Sequence, residues 1–92
     1  MNELKTLLKL HVQDLLETAK QQALKNDPDL LDAHKDFPHC EVYVVDLVDK
    51  IKSSFAEVHT TVSKSDIVNI FYRYSGNINA NEARLNDIMK LS

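Results

Sequence analysis

A chain of 92 residues with one glycine, Gly76, and two prolines, Pro28 and Pro38, has very little with which to turn tightly. All-β sandwiches and barrels need a turn signal roughly every 8–12 residues, so this scarcity argues against them. Glycine-rich phosphate loops are excluded on the same ground, because a single glycine cannot supply the two or three that such loops use. What remains is a fold with few, long elements, and those are helices. At 43% hydrophobic and 27% charged, the chain can bury a core and is expected to be globular rather than disordered. Its length suits one domain, 1–92.

The lone Cys40 cannot close an intrachain disulfide, which argues against a stapled secreted miniprotein. The leucines of the N-terminal stretch are interrupted by Glu3, Lys5, Lys9 and Asp14, unlike the apolar stretch of a signal peptide. No uncharged run approaches the ~18 residues of a membrane span. The expectation is a cytoplasmic protein with no transmembrane segment.

Apolar periodicity places the helices. Leu4, Leu8, Val12, Leu15, Ala19 and Ala23 recur at spacings of three and four, and Leu7, Leu16 and Leu24 widen that stripe. The spacing predicts a helix from about 2 to 25, with a leucine face wide enough to bury itself among neighbours or across a homodimer. Pro28 ends it and, with Asp27 as N-cap, opens a short helix over about 28–35 that buries Leu30, Leu31 and Ala33. Val42-Tyr43-Val44-Val45 is locally strand-like. However, Val44, Val48, Ile51, Phe55 and Val58 then follow a helical spacing, so a helix is predicted over about 39–58. Ser63 caps a helix from 63 to 75 whose stripe is Ile67, Ile70, Phe71 and Tyr74, and Gly76 stands where a left-handed stop belongs. A last helix over 80–91 buries Ala83 or Leu85 with Ile88 and Met89. The predicted fold is all-α: an antiparallel four-helix bundle with one additional short helix.

Charge is uneven along the chain. Residues 1–26 carry a net +1, residues 27–49 carry −6, and residues 50–92 carry +2, which gives the total of −3. Acids gather at helix N-termini because the macrodipole favours them there, and this covers Asp27, Asp29, Asp36 and Glu41. The sharper reading is an acidic face, centred on Asp29, Asp32 and Asp36, that docks a basic protein partner.

No constellation points to catalysis. His34, Asp36, His39, Cys40 and Glu41 have the residue types of a zinc site but not the spacing, since the adjacent His39 and Cys40 diverge by about 100° on a helix. Neither a metal nor another cofactor is expected, and an enzyme is not. Phe71-Tyr72-Arg73-Tyr74 could stack on bases, but Phe71 and Tyr74 point inward, leaving only Tyr72 and Arg73 outside. Helices 63–75 and 80–91 can be forced into a helix-turn-helix with Asn81, Glu82, Arg84 and Asn86 as readers. An acid among four readers in an acidic chain makes nucleic acid an unexpected partner.

Several segments together resemble the immunity proteins of pediocin-like (class IIa) bacteriocins. They are the leucine-rich first helix, Asp27-Pro28-Asp29-Leu30-Leu31, and Glu41-Val42-Tyr43-Val44-Val45-Asp46-Leu47-Val48-Asp49-Lys50-Ile51. The closing run from Asn77-Ile78-Asn79-Ala80 through Arg84-Leu85 to Met89-Lys90-Leu91-Ser92 resembles the last helix of that family. Members often carry a tail beyond that helix, whereas this sequence stops at Ser92. The resemblance implies a small cytosolic four-helix bundle that protects a bacteriocin producer by binding, from the cytosolic side, the bacteriocin-bound sugar permease of the membrane. It also implies that partner determinants lie in the C-terminal half, which selects the polar, outward positions Tyr72, Arg73, Arg84 and Lys90. The alternative is a small acidic adaptor or inhibitor of the phage or plasmid type, acting through protein–protein contact; a helix-turn-helix regulator comes after it.

Overall fold

The computed structural model describes residues 2–26, 28, 41–74 and 78–91. Among them are four helices and no strand: α1 (Asn2–Asn26), α2 (Glu41–Glu57), α3 (Lys64–Arg73) and α4 (Asn81–Met89). The short helix expected over 28–35, the acids Asp29, Asp32 and Asp36, the cluster from His34 to Cys40, and Gly76 all lie outside the described residues.

With no glycine or proline to interrupt it, α1 runs for 25 residues, about 37 Å at 1.5 Å per residue. That accounts for most of the molecule's 40 Å long dimension. α1 packs on α2 and α4, and α3 packs on the same two helices. One groove between α1 and α2 is lined by Thr18, Gln22 and Asp46, and the next by His11, Ser53 and Glu57. Between α1 and α4, the Asn81 amide donates to the Leu16 carbonyl at 3.1 Å.

The core follows the predicted periodicity through most of its length. Leu8, Val12, Leu16, Ala19 and Ala23 of α1 are buried, with Leu15 and Leu24 packed at the edge. Val48, Ile51 and Phe55 of α2 are buried with Leu47, and Val58 is half-buried; the side chain of Val44 is outside the described set. Ile67, Ile70 and Phe71 of α3 and Leu85, Ile88 and Met89 of α4 complete the layer. Two further core residues, Val62 and Ile78, come from the connections rather than the helices. Ser54 is buried as well, its hydroxyl donating to the Lys50 carbonyl one turn back at 2.9 Å, which spares the core an unmet donor.

Three expectations need correction. Leu4 and Leu7 do not join the buried stripe: they are 56% and 61% exposed, because the first turns of α1 have no described neighbour laid over that face. Ser63 occupies the N-cap position of α3 in extended backbone geometry, but its side chain makes no capping bond. The last two helices are shorter than the spacing suggested. α3 closes at Tyr74, whose N–H turns back to the Phe71 carbonyl at 3.2 Å, and α4 closes at Lys90.

The stop of α2 uses a residue that the sequence did not advertise. His59 adopts φ 60°, in the left-handed region. Its N–H donates to the Ala56 carbonyl at 3.1 Å, and the N–H of Thr60 donates to the Phe55 carbonyl at 3.0 Å. Those two bonds are a Schellman C-cap, in which glycine is the usual occupant of the left-handed position.

Candidate functional site

The polar residues expected to meet a partner sit on α3 and α4, and the structure treats them in two different ways. Tyr72 faces outward and is 61% exposed. Arg73, one position on and so about 100° around the helix, is also exposed, but its guanidinium reaches across to α4. There its Nη1 lies 2.8 Å from the Asp87 Oδ2. The Tyr74 hydroxyl donates to the same oxygen at 2.6 Å, and the Lys90 ammonium stands 3.9 Å from Oδ1. Asp87 thus ties the end of α3 to the last turns of α4 through three residues, and its side chain is only 15% exposed.

The electrostatics follow from those contacts. The hydrogen bond from Tyr74 is the largest cause holding the Asp87 carboxyl below the usual carboxylate range; burial opposes it, and Arg73 and Lys90 add to the lowering. The same bond raises the Tyr74 phenol, with burial and the Asp87 charge acting in the same direction.

Arg84 is the correction. Expected on the outward surface, it is fully buried, the largest of the fully buried side chains. Its guanidinium lies 5.6 Å from the centre of the Phe71 ring and 5.9 Å from that of Tyr74, within the range of cation–π attraction. Nη2 donates to the Tyr74 carbonyl at 2.8 Å and Nη1 to the Asn81 Oδ1 at 3.2 Å. Burial lowers this group to about 10, so it keeps its charge at neutral pH. The physical reason is positional. Arg84 shares its helical face with Leu85 and Ile88, which draws its stem inward, and the C-terminal end of α3 supplies the negative dipole end and carbonyl that receive a cation. The sequence marks Phe71 and Tyr74, three apart, as inward positions, but that Arg84 of α4 lies against both rings is seen only in the fold.

The structure therefore brings Arg73 and Lys90 together at Asp87, leaves Tyr72 outside, and removes Arg84 from the surface. It also withdraws two of the four residues that a helix-turn-helix reading needs: Arg84 is inside, and Asn81 is turned toward Leu16 and Arg84. Asp46 and Asp49 of the acid-rich segment meet Lys50 and Lys64, each at 3.0 Å. These two acids are thus locally balanced, although such exposed pairs contribute little stability.

Elsewhere on the surface, a groove of about 370 Å³ between α1 and α4 is lined by Lys9, Glu17, Lys20 and Glu82 over Leu16 and Leu85. Two bases and two acids leave it no charge preference. Among the described residues, no group of three or more His, Cys, Asp or Glu side chains is placed to hold a metal, and no helix is long and apolar enough to cross a membrane. Comparisons with known protein families, with curated proteins and with solved structures find no match.

Proposed function

We propose that the chain is a non-enzymatic immunity protein of the pediocin-like kind, folded as an antiparallel four-helix bundle and acting through protein–protein contact. The bundle is supported by the way residues pair across α1 and α2: numbering rises from His11 to Gln22 on one helix as it falls from Glu57 to Asp46 on the other. The partner in this reading is the bacteriocin-bound sugar permease, met on its cytosolic side, and the contact surface is that of α3 and α4. The observation that carries it is the exposure of Tyr72 beside Arg73, on a helix whose end is fastened to α4 through Asp87 and Arg84. Tyrosine and arginine are enriched among residues that dominate interface energy, and a fixed backbone loses little freedom when they are engaged. The partner set becomes Tyr72, Arg73 and Lys90, with Arg84 reassigned to holding them in place.

A sensitive strain expressing this chain and challenged with class IIa bacteriocins tests the reading; absence of protection against all of them removes it. Tyr72→Ala should weaken partner binding by about 10- to 100-fold without altering helix content, because the side chain is largely solvated. The acidic-adaptor alternative predicts the opposite pattern, in which reversing Asp29, Asp32 and Asp36 abolishes partner capture and Tyr72→Ala does nothing.

A further inference from the structure

The first three turns of α1 carry Leu4, Leu7 and Leu10 at 56%, 61% and 56% exposure. Among the described residues, no other helix presents such a row. At about 100° and 1.5 Å per residue, Leu7 marks the middle of the outward face. Leu4 and Leu10 flank it, each about 60° around and 4.5 Å along the axis, on opposite sides. Val12 and Leu16, fully buried on the inward face, are not part of this patch. Contiguous exposed apolar surface of this kind marks an interaction site more often than scattered single residues do.

We infer that this face of α1 is a self-association surface, on which a second copy packs antiparallel about a twofold axis beside Leu7. The charges select that arrangement. In the antiparallel pair, Leu4 meets the partner's Leu10, Leu7 meets the partner's Leu7, and the six leucines form one cluster. Glu3 then meets the partner's His11, whose ring can donate a hydrogen bond to a carboxylate. Asp14 comes level with the N-terminal turn of the partner's α1, the positive end of its dipole. A parallel pair would set Glu3 against Glu3 and Asp14 against Asp14, which costs stability. Every contact is reciprocal, as a closed twofold interface requires. Three leucines and their neighbours cover less than the roughly 800 Å² per partner of a standard interface, so the dimer is weak and depends on concentration.

Sedimentation velocity on the full chain, over about three decades of concentration from micromolar to millimolar, should show the mass rising from 10.5 kDa toward twice that value. A mass that stays at that of one chain throughout overturns the proposal. Leu7→Glu should hold the protein monomeric at every concentration with its helix content intact, since Leu7 is mostly solvated; a variant that still dimerises also overturns it. Orientation is read by oxidative cross-linking in a Cys40→Ser background. Leu4→Cys and Leu10→Cys proteins should cross-link when mixed and not singly, whereas Leu4→Cys linking to itself refutes the antiparallel pairing. Binding of the wild-type chain to phosphatidylglycerol vesicles, lost in Leu7→Glu and unaccompanied by self-association, would assign the face to a lipid surface and overturn the dimer.

Discussion

Replacing Arg84 with methionine separates two accounts of a buried cation. Methionine keeps most of the length and the apolar stem but removes the charge and both donors. The Tyr74 carbonyl, now 2.8 Å from Nη2, and the Asn81 Oδ1, 3.2 Å from Nη1, would each lose a partner. A buried acceptor left unmet costs about 1–3 kcal/mol. Asn81 is only half-buried and can recruit water, so its share falls at the low end. The cation–π contacts with Phe71 and Tyr74 add to the loss, while relief from burying a charge works the other way. The net expectation is a destabilisation of about 2–3 kcal/mol. Unfolding entropy for a chain of this length is about 0.2 kcal/mol per kelvin, so the melting temperature should drop by about 10–15 °C. Thermal unfolding followed by far-ultraviolet circular dichroism reads this directly. Arg84→Lys should not rescue it, because a single ammonium cannot span both acceptors while lying flat between two rings. If Arg84→Met melts at or above the wild-type temperature, the guanidinium is a net cost and the argument that it fastens α3 to α4 fails.

Three further outcomes follow, two from the same region and one from the end of α2. Asp87 has a folded pKa below its ordinary value, so the stability it confers is present above about pH 4 and is lost as pH falls through the lowered value; Asp87→Asn should flatten that part of the acid unfolding curve. The raised Tyr74 phenol acts at the other edge: its contribution is present below about pH 10 and lost above it, and Tyr74→Phe should remove that alkaline dependence. His59→Gly should stabilise the protein by about 0.5–1 kcal/mol, the left-handed strain relieved less the extra freedom of glycine in the unfolded chain. Urea denaturation measures this, and an equal or lower midpoint would show that His59 is held by contacts beyond its backbone angle.

The helices and most of the core were legible because they rest on periodicity, which needs no knowledge of neighbours. The spacing of Val48, Ile51 and Phe55 overrode the strand-like start of α2, and the structure agrees. What was illegible depends on tertiary context. Leu4 and Leu7 lie on the apolar pattern of α1, but a stripe says nothing about whether a neighbouring helix extends far enough to cover it. Arg84 reads as a surface residue because arginine is seldom fully buried; only the meeting of Phe71, Tyr74 and a helix C-terminus makes its burial favourable. The stop of α2 hid behind the expectation of glycine: with one glycine in the chain, a histidine takes the left-handed position. On the candidate surface, Tyr72 and Arg73 were placed outward from helical phase alone, whereas their anchoring through Asp87, thirteen and fourteen residues from Tyr74 and Arg73, could be seen only in the fold.

The two proposed surfaces bear on each other through their placement. α1 and α3 both pack on α2 and α4, so an interface on the outward face of α1 leaves Tyr72 on α3 uncovered. A dimer then presents two copies of the partner-binding surface on one particle. Where the proposed receptor is displayed many times on a membrane, the second contact forms at a high effective concentration and can strengthen binding by about 100-fold or more without any new contact. Leu7→Glu and Tyr72→Ala should therefore fail differently in the protection assay. Leu7→Glu abolishes the paired presentation but leaves each single site whole, so protection should fall at low expression and return at high expression. Tyr72→Ala damages the site itself and should be impaired at both. Full protection by Leu7→Glu at the lowest expression that protects with the wild-type chain would refute the coupling, leaving self-association without a role in immunity.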